Sequence, residues 1–272
     1  MSGQILNVAV ILLLLMLLSA AFPGDSFSKT VPSLCRIHYP SDDSTLSDCR
    51  RLKKGETLEK LFGESWVDVA RFNRIDRRHI HSGTYIKVPK DIAAIKDFTP
   101  MPREYEPARQ EPKFILIDLS EQFLGAYEFG RLVFSLPVAT GGRDNATPPG
   151  EFRVTAVNSK HLSSLYFVEN TIKPYPMHYG LRFHVSDEGV SFWIHSRDIP
   201  GYPASHGCIG LYDEEMQKKY YGFPNSPVLK DAKRLFDWVI SPMQDDGKFH
   251  FINEGPRVLV TGKAPEPKRR RR

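Results

Sequence analysis

The sequence is poor in cysteine and lacks a hydrophobic run long enough to cross a membrane. Its three cysteines, at positions 35, 49 and 208 of 272, form no pair with the spacing of a structural zinc site. The longest apolar run, Val8 to Phe22, is shorter than the roughly 20 residues that a membrane-spanning helix needs. The glycines from Gly141 to Gly150 lack the Gly-Lys-Ser or Gly-Lys-Thr ending of a phosphate-binding loop, so they are predicted to form turns.

The basic residues are not spread evenly over the chain. The net charge of +5 comes from 37 basic and 32 acidic residues, and the last five residues, Lys268 to Arg272, are all basic. Another basic stretch lies between Arg50 and Lys90, so the remainder is mildly acidic. Nucleic-acid binding needs basic and aromatic residues together on one face, and we therefore expect no nucleic-acid partner. The composition, 41% apolar and 25% charged, is that of a globular protein.

The apolar run near the N-terminus has the features of a secretory signal. The small residues Ser19 to Ala21 precede Pro23, so residues 1–28 are predicted to be a signal peptide with cleavage between positions 21 and 28. Residues 1–7 contain no lysine or arginine, and an uncleaved membrane anchor is therefore the alternative. In both cases we expect an exported protein of the periplasm or cell wall.

An exported chain with three cysteines leaves one of them unpaired. Cys35 and Cys49 are close in sequence and both lie in the N-terminal segment 29–49, so a disulfide between them is predicted. Closing that short loop stabilises the fold by about 3 kcal/mol on the loop-entropy estimate. Cys208 is then a free thiol and a candidate nucleophile.

Residues 50–90 have the pattern of a small α+β unit. A first helix is predicted to begin with Thr57 as its N-cap and to stop at Gly63. A second helical pattern covers 65–73, and an alternating pattern predicts a strand over 85–88. The unit is therefore expected to consist of a strand, two short helices and a strand.

This unit resembles the LysM module of cell-wall proteins. The matching residues are Leu52-Lys53-Lys54-Gly55-Glu56-Thr57-Leu58, Asn73, and Ser82-Gly83-Thr84-Tyr85-Ile86-Lys87-Val88-Pro89. The resemblance implies binding of N-acetylated glycan strands, and a spacer that binds little is the alternative. Four prolines between 97 and 112 predict a semi-rigid linker over 91–112, which would separate this unit from the rest of the chain.

Residues 113–262 are predicted to form a mainly β, mostly antiparallel domain, followed by a basic tail at 263–272. Strands are expected over 114–119, 125–129, 132–138, 152–157, 181–185, 190–195 and 257–260. Helical patterns cover 213–221 and 227–241. A domain of this length buries a sizeable hydrophobic core.

One segment of this domain carries the residue types of nucleophilic catalysis. An apolar strand ends at His195, a loop rich in proline and glycine follows, and a second apolar stretch begins after Cys208. Such a loop brings imidazole and thiol face to face, where the base accepts the thiol proton and holds the thiolate as an ion pair. Gly207 lets a substrate carbonyl approach the main chain, where the Cys208 amide helps to hold an oxyanion.

These residues resemble the signature of the YkuD-type L,D-transpeptidases. The matches are Ser205-His206-Gly207-Cys208-Ile209, Ile194-His195, Ala139-Thr140-Gly141-Gly142, Thr147-Pro148-Pro149-Gly150-Glu151-Phe152 and the stretch from Met177 to Phe183. The resemblance implies attack by a cysteine on the third residue of a peptidoglycan tetrapeptide stem, release of D-Ala, and transfer of the acyl group to an amine. The product is a 3-3 cross-link or an attached lipoprotein or outer-membrane protein. The resemblance implies no metal or organic cofactor, and it implies covalent inhibition by carbapenems.

The resemblance also assigns roles to individual residues. Cys208 is the nucleophile, His195 is the general base, and the main-chain carbonyl of Ser196 is the third member of the catalytic group. The signature residues that shape the oxyanion site and its loop are Ser205, His206 and Gly207. Gly210 stands where the family usually has Arg or Asn, so a group that orients substrate or loop is missing there. The candidate substrate contacts are Gly210, Met177 and Tyr179.

Three alternatives remain open from the sequence. The same acyl-enzyme supports an L,D-carboxypeptidase or another hydrolase, because water and amines compete for one thioester. A non-catalytic peptidoglycan-binding protein is the alternative outside catalysis. A zinc site would have its ligands among His178, His184, His195, His206 and Cys208. The interpretation as a cysteine enzyme explains more residues, so we expect no metal.

Overall fold

The structure is a computed structural model that describes residues 33–266, outside which lie the predicted signal peptide and the end of the basic tail. The strands are β1 (Ser47–Arg51), β2 (Tyr85–Pro89), β3 (Phe114–Asp118), β4 (Phe123–Glu128), β5 (Arg131–Pro137), β6 (Gly150–Arg153), β7 (Ala156–Asn158), β8 (Leu162–Phe167), β9 (Pro174–Pro176), β10 (Gly180–Val185), β11 (Ser191–Ser196), β12 (Ile209–Leu211), β13 (His250–Phe251) and β14 (Arg257–Thr261). The α-helices are α1 (Leu58–Phe62), α2 (Trp66–Phe72), α3 (Glu214–Tyr221) and α4 (Asp231–Ile240). Within the described residues, no helix is both long and apolar enough to span a membrane.

The strands after β2 form two five-stranded sheets and a short hairpin. The first sheet has the order β5-β4-β3-β14-β6, the second has the order β12-β11-β10-β7-β13, and β8 pairs with β9. Most neighbouring strands are antiparallel, but β3 with β14 and β11 with β12 are parallel pairs. The mainly β class predicted from the sequence is confirmed.

One hydrophobic core lies between the two five-stranded sheets. Ile115 and Val260 from the first sheet belong to the same buried cluster as Leu181 and Ile194 from the second. The apolar face of α4 joins this cluster through Leu235. Side chains alternate between the two faces of a strand, so the residues next to Leu181 and Ile194 in sequence lie on the outer face of the second sheet.

One predicted strand is divided between the two sheets. The sequence predicts a single strand over 152–157, but the structure ends β6 at Arg153 and begins β7 at Ala156. β6 pairs with β14 of the first sheet, whereas β7 pairs with β10 of the second. Val154, between them, is buried in the common core. The apolar pattern continues through the crossing, which is why the sequence does not reveal it.

The N-terminal unit has the strand, helix, helix, strand order expected from the sequence. β1 and β2 pair in antiparallel register. The Thr57 hydroxyl accepts a hydrogen bond from the Lys60 N–H and caps α1, which ends at Phe62 with Gly63 as its C-cap at a φ of 55°. A disulfide joins Cys35 to Cys49. Glycan binding by this unit stays a prediction.

The proline-rich segment 91–112, which the sequence suggests is a linker, packs against the first sheet. Met101 is buried in a cluster with Phe114 of β3 and Tyr127 of β4. The Tyr127 hydroxyl donates a hydrogen bond to the Pro102 carbonyl at 3.0 Å. The segment therefore covers aromatic side chains on the outer face of this sheet that would otherwise contact water.

Buried contacts dock the N-terminal unit onto the two-sheet part. The Asp76 carboxylate accepts a hydrogen bond from the Ile199 N–H at 2.6 Å, and the Asp76 N–H donates to the Ile199 carbonyl at 2.8 Å. The Tyr212 hydroxyl donates to the Ile75 carbonyl at 3.1 Å. The two parts therefore form one compact unit rather than the separated units that a linker would give.

Arg77→Ala is expected to destabilise this docked fold. Arg77 Nε donates to Glu214 at 2.7 Å, and the Glu214 side chain is fully buried. Removing the guanidinium leaves a buried carboxylate without its charge partner, which costs about 3 kcal/mol.

The matched control is Arg50→Ala, because the Arg50 and Glu56 pair lies nearer the surface, where an ion pair is worth about 1 kcal/mol or less. Urea denaturation of both variants measures the two losses. Equal losses would contradict a tightly docked N-terminal unit.

Candidate active site

A parallel strand pair brings His195 and Cys208 to one face of the second sheet. Ile194 of β11 is in register with Ile209 of β12, and both side chains are buried in the core. Because side chains alternate along a strand, His195 and Cys208 point to the opposite, outer face. Two residues separated by a long loop thereby become neighbours on adjacent strands.

Side-chain hydrogen bonds hold the turn that leads into Cys208. The Ser205 hydroxyl donates to the Cys208 carbonyl and accepts from the Gly207 N–H at 3.1 Å. The Thr147 hydroxyl donates to the Gly207 carbonyl at 2.8 Å and accepts from the Gly141 N–H at 2.8 Å. The Thr147 segment is therefore a support for the cysteine turn. The Gly207 N–H is therefore already engaged by the Ser205 hydroxyl.

Position 207 requires glycine for two reasons. Its φ is +106°, a backbone conformation that residues with a side chain rarely adopt. A Cβ atom there would also lie 2.6 Å from the Phe192 ring. The close approach packs the turn directly onto β11.

The hydrogen bond of His195 fixes its tautomer. His195 Nδ1 lies 2.6 Å from the Ser196 carbonyl oxygen, and a carbonyl only accepts hydrogen bonds. Nδ1 therefore carries the proton, and Nε2 has the free lone pair. The imidazole is oriented to accept a proton through Nε2.

Burial dominates the ionisation of both groups. His195 is 2% exposed, and burial together with the positive charge of Arg197 lowers its pKa to about 3. Burial also raises the pKa of the Cys208 thiol, against the opposing effects of a hydrogen bond with the Trp193 backbone and of Arg197. A poorly solvated site disfavours both charged forms, so both shifts oppose the ion pair expected from the sequence.

Arg197 fills the space beside Gly210. A Cβ atom at position 210 would lie 2.5 Å from Arg197 Cδ and 2.6 Å from Arg197 Cβ. The Arg197 guanidinium donates to the Ala204 carbonyl at 2.7 Å, so it ties the end of β11 to the loop before Cys208. Gly210 is thus the residue that makes room for Arg197 rather than a free substrate contact.

Arg197 is the site residue that sequence reasoning missed. The one available signal was a pair of positions: a glycine where the resembling family usually has arginine, and an arginine two residues after His195. Residues 195 and 197 lie on the same side of an extended chain, and His195 is in register with Gly210. The positive charge is therefore supplied from the neighbouring strand.

Comparison with protein families decides the assignment of this site. A model of the YkuD L,D-transpeptidase catalytic domain matches residues 112–259, which is more than half of the chain. The chain belongs to the YkuD family. The matched range contains β11, β12 and the turn that leads into Cys208.

Solved L,D-transpeptidases are similar to the chain at low identity. The Stackebrandtia nassauensis enzyme is 20% identical, with a TM-score of 0.41, over 75% of this chain and 69% of that one. Mycobacterium tuberculosis L,D-transpeptidase 1 is 19% identical, with a TM-score of 0.35, over 55% of this chain and 62% of that one. Mycobacterium tuberculosis L,D-transpeptidase 3, solved with a faropenem-derived adduct, is 15% identical, with a TM-score of 0.37, over 55% and 60%. The chain spans less than two thirds of both mycobacterial enzymes. Comparison with curated proteins returns no match.

The remaining sequence-predicted site residues of the YkuD domain lie in three different surroundings. The His206 ring stacks on Tyr166 of β8 at 4.3 Å, so the β8–β9 hairpin reaches the cysteine turn. Met177 is buried, and its N–H donates to the His161 carbonyl at 2.9 Å. Tyr179 packs against the main core, with its ring 5.8 Å from Phe236 of α4.

Two of the histidines weighed as zinc ligands, His178 and His184, pack against aromatic rings. His184 packs against the rings of Phe152 and Phe192, and His178 lies against Tyr220 of α3. Within residues 33–266, no group of three or more candidate ligands has the arrangement to hold a metal ion.

Alkylation of Cys208 is expected to keep rising with pH beyond the range of an ordinary thiol, because burial raises its pKa. In Arg197→Gln the profile is expected to move to still higher pH, since the guanidinium charge that lowers the thiol pKa is gone. Intact mass after timed iodoacetamide treatment, from about pH 6 to about pH 10, measures the rate at the one free thiol.

Arg234→Gln is the control for that experiment, because Arg234 stacks on Phe134 at 4.3 Å on α4 and does not border the thiol. A wild-type plateau below about pH 8 would contradict the raised pKa.

Gly210→Ala is expected to displace Arg197, to lower stability by about 1 to 3 kcal/mol through overpacking, and to slow acylation. Gly142→Ala is the matched control, since a Cβ atom there has only ordinary contacts, the nearest at 3.5 Å. Thermal melting and acylation rates measure both effects.

The exchange variant Arg197→Gly with Gly210→Arg is expected to recover part of the stability lost in Gly210→Ala, because it removes the clash and restores the charge. A Gly210→Ala variant with unchanged melting temperature and acylation would refute the assignment of Arg197 to this space.

Proposed function

We propose that the protein is an exported peptidoglycan L,D-transpeptidase with Cys208 as its nucleophile and His195 as its general base. The observation that carries the proposal is the His195 ring, whose Nδ1–H is held by the Ser196 carbonyl while Nε2 is free. This base lies on the strand next to Cys208 and on the same face of the sheet. Membership of the YkuD family supports a peptidoglycan stem peptide as the substrate class.

In the first half-reaction, the Cys208 sulfur attacks the carbonyl carbon at the L-centre of the third stem residue, meso-diaminopimelate or its equivalent. His195 Nε2 accepts the thiol proton as the C–S bond forms, and the Cys208 N–H stabilises the charge on the carbonyl oxygen. The amide bond to the terminal D-Ala then breaks. The imidazolium gives its proton to the leaving amine, which leaves a thioester on Cys208.

In the second half-reaction, an amine of another stem attacks the thioester. His195 takes the proton of that amine and returns it to the leaving thiolate. The new amide bond is a 3-3 cross-link, and an amine on a wall-attached protein gives protein attachment by the same step. The pKa shifts toward the uncharged forms suit this cycle, because one proton moves between sulfur, imidazole and nitrogen in both directions.

We also propose that the N-terminal unit binds glycan strands, so that the catalytic site works on stems of the same polymer. The strand, helix, helix, strand order supports this proposal. Co-sedimentation of the full chain with insoluble peptidoglycan whose stems have been removed is the test, because only glycan is left to bind. Loss of co-sedimentation on removal of the stems would reduce the unit to a spacer.

Cys208→Ala is expected to abolish release of D-Ala from a purified disaccharide-tetrapeptide and to change the melting temperature little. The substitution removes the nucleophile and little buried volume. Mass spectrometry of the products distinguishes cross-linked dimer, tripeptide from hydrolysis, and unchanged substrate. Turnover at the wild-type rate in this variant would overturn the mechanism.

A carbapenem is expected to add once to the wild-type protein and not to Cys208→Ala, because acylation consumes the thiol. Intact mass before and after incubation measures this. Persistent absence of an adduct on the wild-type protein would instead favour a non-catalytic peptidoglycan-binding protein.

A further inference from the structure

A row of side chains crosses the outer face of the second sheet, starting at Cys208. The strand register places Arg182 of β10 beside Trp193 of β11, Ala156 of β7 beside Arg182, and Phe251 of β13 beside Ala156. The β11 and β12 register puts Cys208 next to Trp193 on the same face. Since paired residues point to the same side of a sheet, the thiol lies at one end of this row and Phe251 at the other.

Arg182 stands in the row among aromatic rings. Its guanidinium carbon lies 5.1 Å from the centre of the Phe251 ring, 5.8 Å from that of Phe249 and 6.0 Å from that of Trp193. The His161 ring stacks on Trp193 at 4.3 Å. Aromatic faces hold a guanidinium in place without neutralising its charge.

The charge of Arg182 has no acidic partner in residues 33–266. Its Nε bonds to the Thr155 hydroxyl at 3.3 Å, and it forms no ion pair with a carboxylate of the described chain. The carboxylates of the loop before β13 are engaged elsewhere, since Asp245 accepts from Ser159 at 2.8 Å and Asp246 lies 2.8 Å from the His250 ring. A positioned guanidinium without a counter-charge is suited to bind an external anion.

The aromatic side chains around Arg182 differ in their exposure to solvent. Trp193 is 6% exposed, Phe249 is 41% exposed and Phe251, on the edge strand β13, is 72% exposed. Neighbouring strands lie about 4.8 Å apart, so Arg182, two strands from Cys208, is about 10 Å from the thiol. A peptide acylated on Cys208 reaches that distance within about three residues.

We propose that Arg182, with its aromatic neighbours Trp193, Phe249 and Phe251, forms a carboxylate-binding subsite that holds a free side carboxylate of the stem peptide while Cys208 is acylated. This inference rests on the proposed function. The guanidinium binds the anion, and the rings exclude water from one side of the contact. The subsite fixes the stem at a second point, so that the reacting carbonyl is held against the thiol.

The test compares stems that differ only in charge. Binding of a soluble tetrapeptide with free carboxylates, and of analogues in which one side carboxylate at a time is a carboxamide, is measured by calorimetry on Cys208→Ala. We expect one carboxamide analogue to bind about ten-fold more weakly than the free stem, and that analogue identifies the carboxylate. With Arg182→Gln added to Cys208→Ala, the difference is expected to disappear.

Arg182→Lys keeps the charge and is expected to retain part of the preference for the free carboxylate. Arg234→Gln is the control, because Arg234 stacks on Phe134 on α4 and does not belong to the subsite. Melting temperatures verify that each variant is folded. Equal binding of all stems to Cys208→Ala, or an equal loss for all stems on Arg182→Gln, would overturn the subsite.

Turnover of the same stems by the otherwise wild-type protein separates the two proposals. Charge-selective binding without release of D-Ala would contradict the transpeptidase function and support the subsite. Release of D-Ala without charge-selective binding would contradict the subsite and support the transpeptidase function.

Discussion

The parallel pairing of β11 with β12 is the constraint on which the site depends. It fixes Ile194 beside Ile209 in the core, and side-chain alternation then places the imidazole and the thiol on the opposite face. A shift of one residue in this register would bury Cys208 and expose Ile209. The large apolar area lost in such a shift explains why a core contact, rather than a contact between imidazole and thiol, determines how these two side chains are placed.

The same burial that fixes the geometry decides the charge state. A poorly solvated imidazole has its pKa lowered to about 3, and the pKa of the nearby thiol is raised. Both shifts favour the uncharged forms of these groups. The positive charge of Arg197 favours the thiolate and opposes protonation of His195. In the mechanism proposed above, such a site favours a proton transfer that accompanies attack over one that precedes it.

The loop between His195 and Cys208 is held from both sides. On one side the Thr140 carbonyl accepts the Ser205 N–H at 3.0 Å, and the Gly142 N–H donates to the Ser205 carbonyl at 2.9 Å. On the other side, buried Asp76 of the N-terminal unit holds Ile199. The N-terminal unit is therefore part of the support of this loop.

The sequence by itself determined the four α-helices, most strands of the two five-stranded sheets, the helix cap at Thr57, the mainly β class and the residues of the signature. These depend on local spacing and on chemistry that a short segment carries. Only the tertiary structure decided that 152–157 crosses between sheets, that residues 91–112 pack as a cover, and that Arg197 occupies the space at Gly210. Each of these depends on which distant segments meet, as Asp76 and Ile199 do across 123 positions. Periodicity tells which face of a strand is buried but not which strand lies beside it, because the pairing is selected by the packing of the whole core.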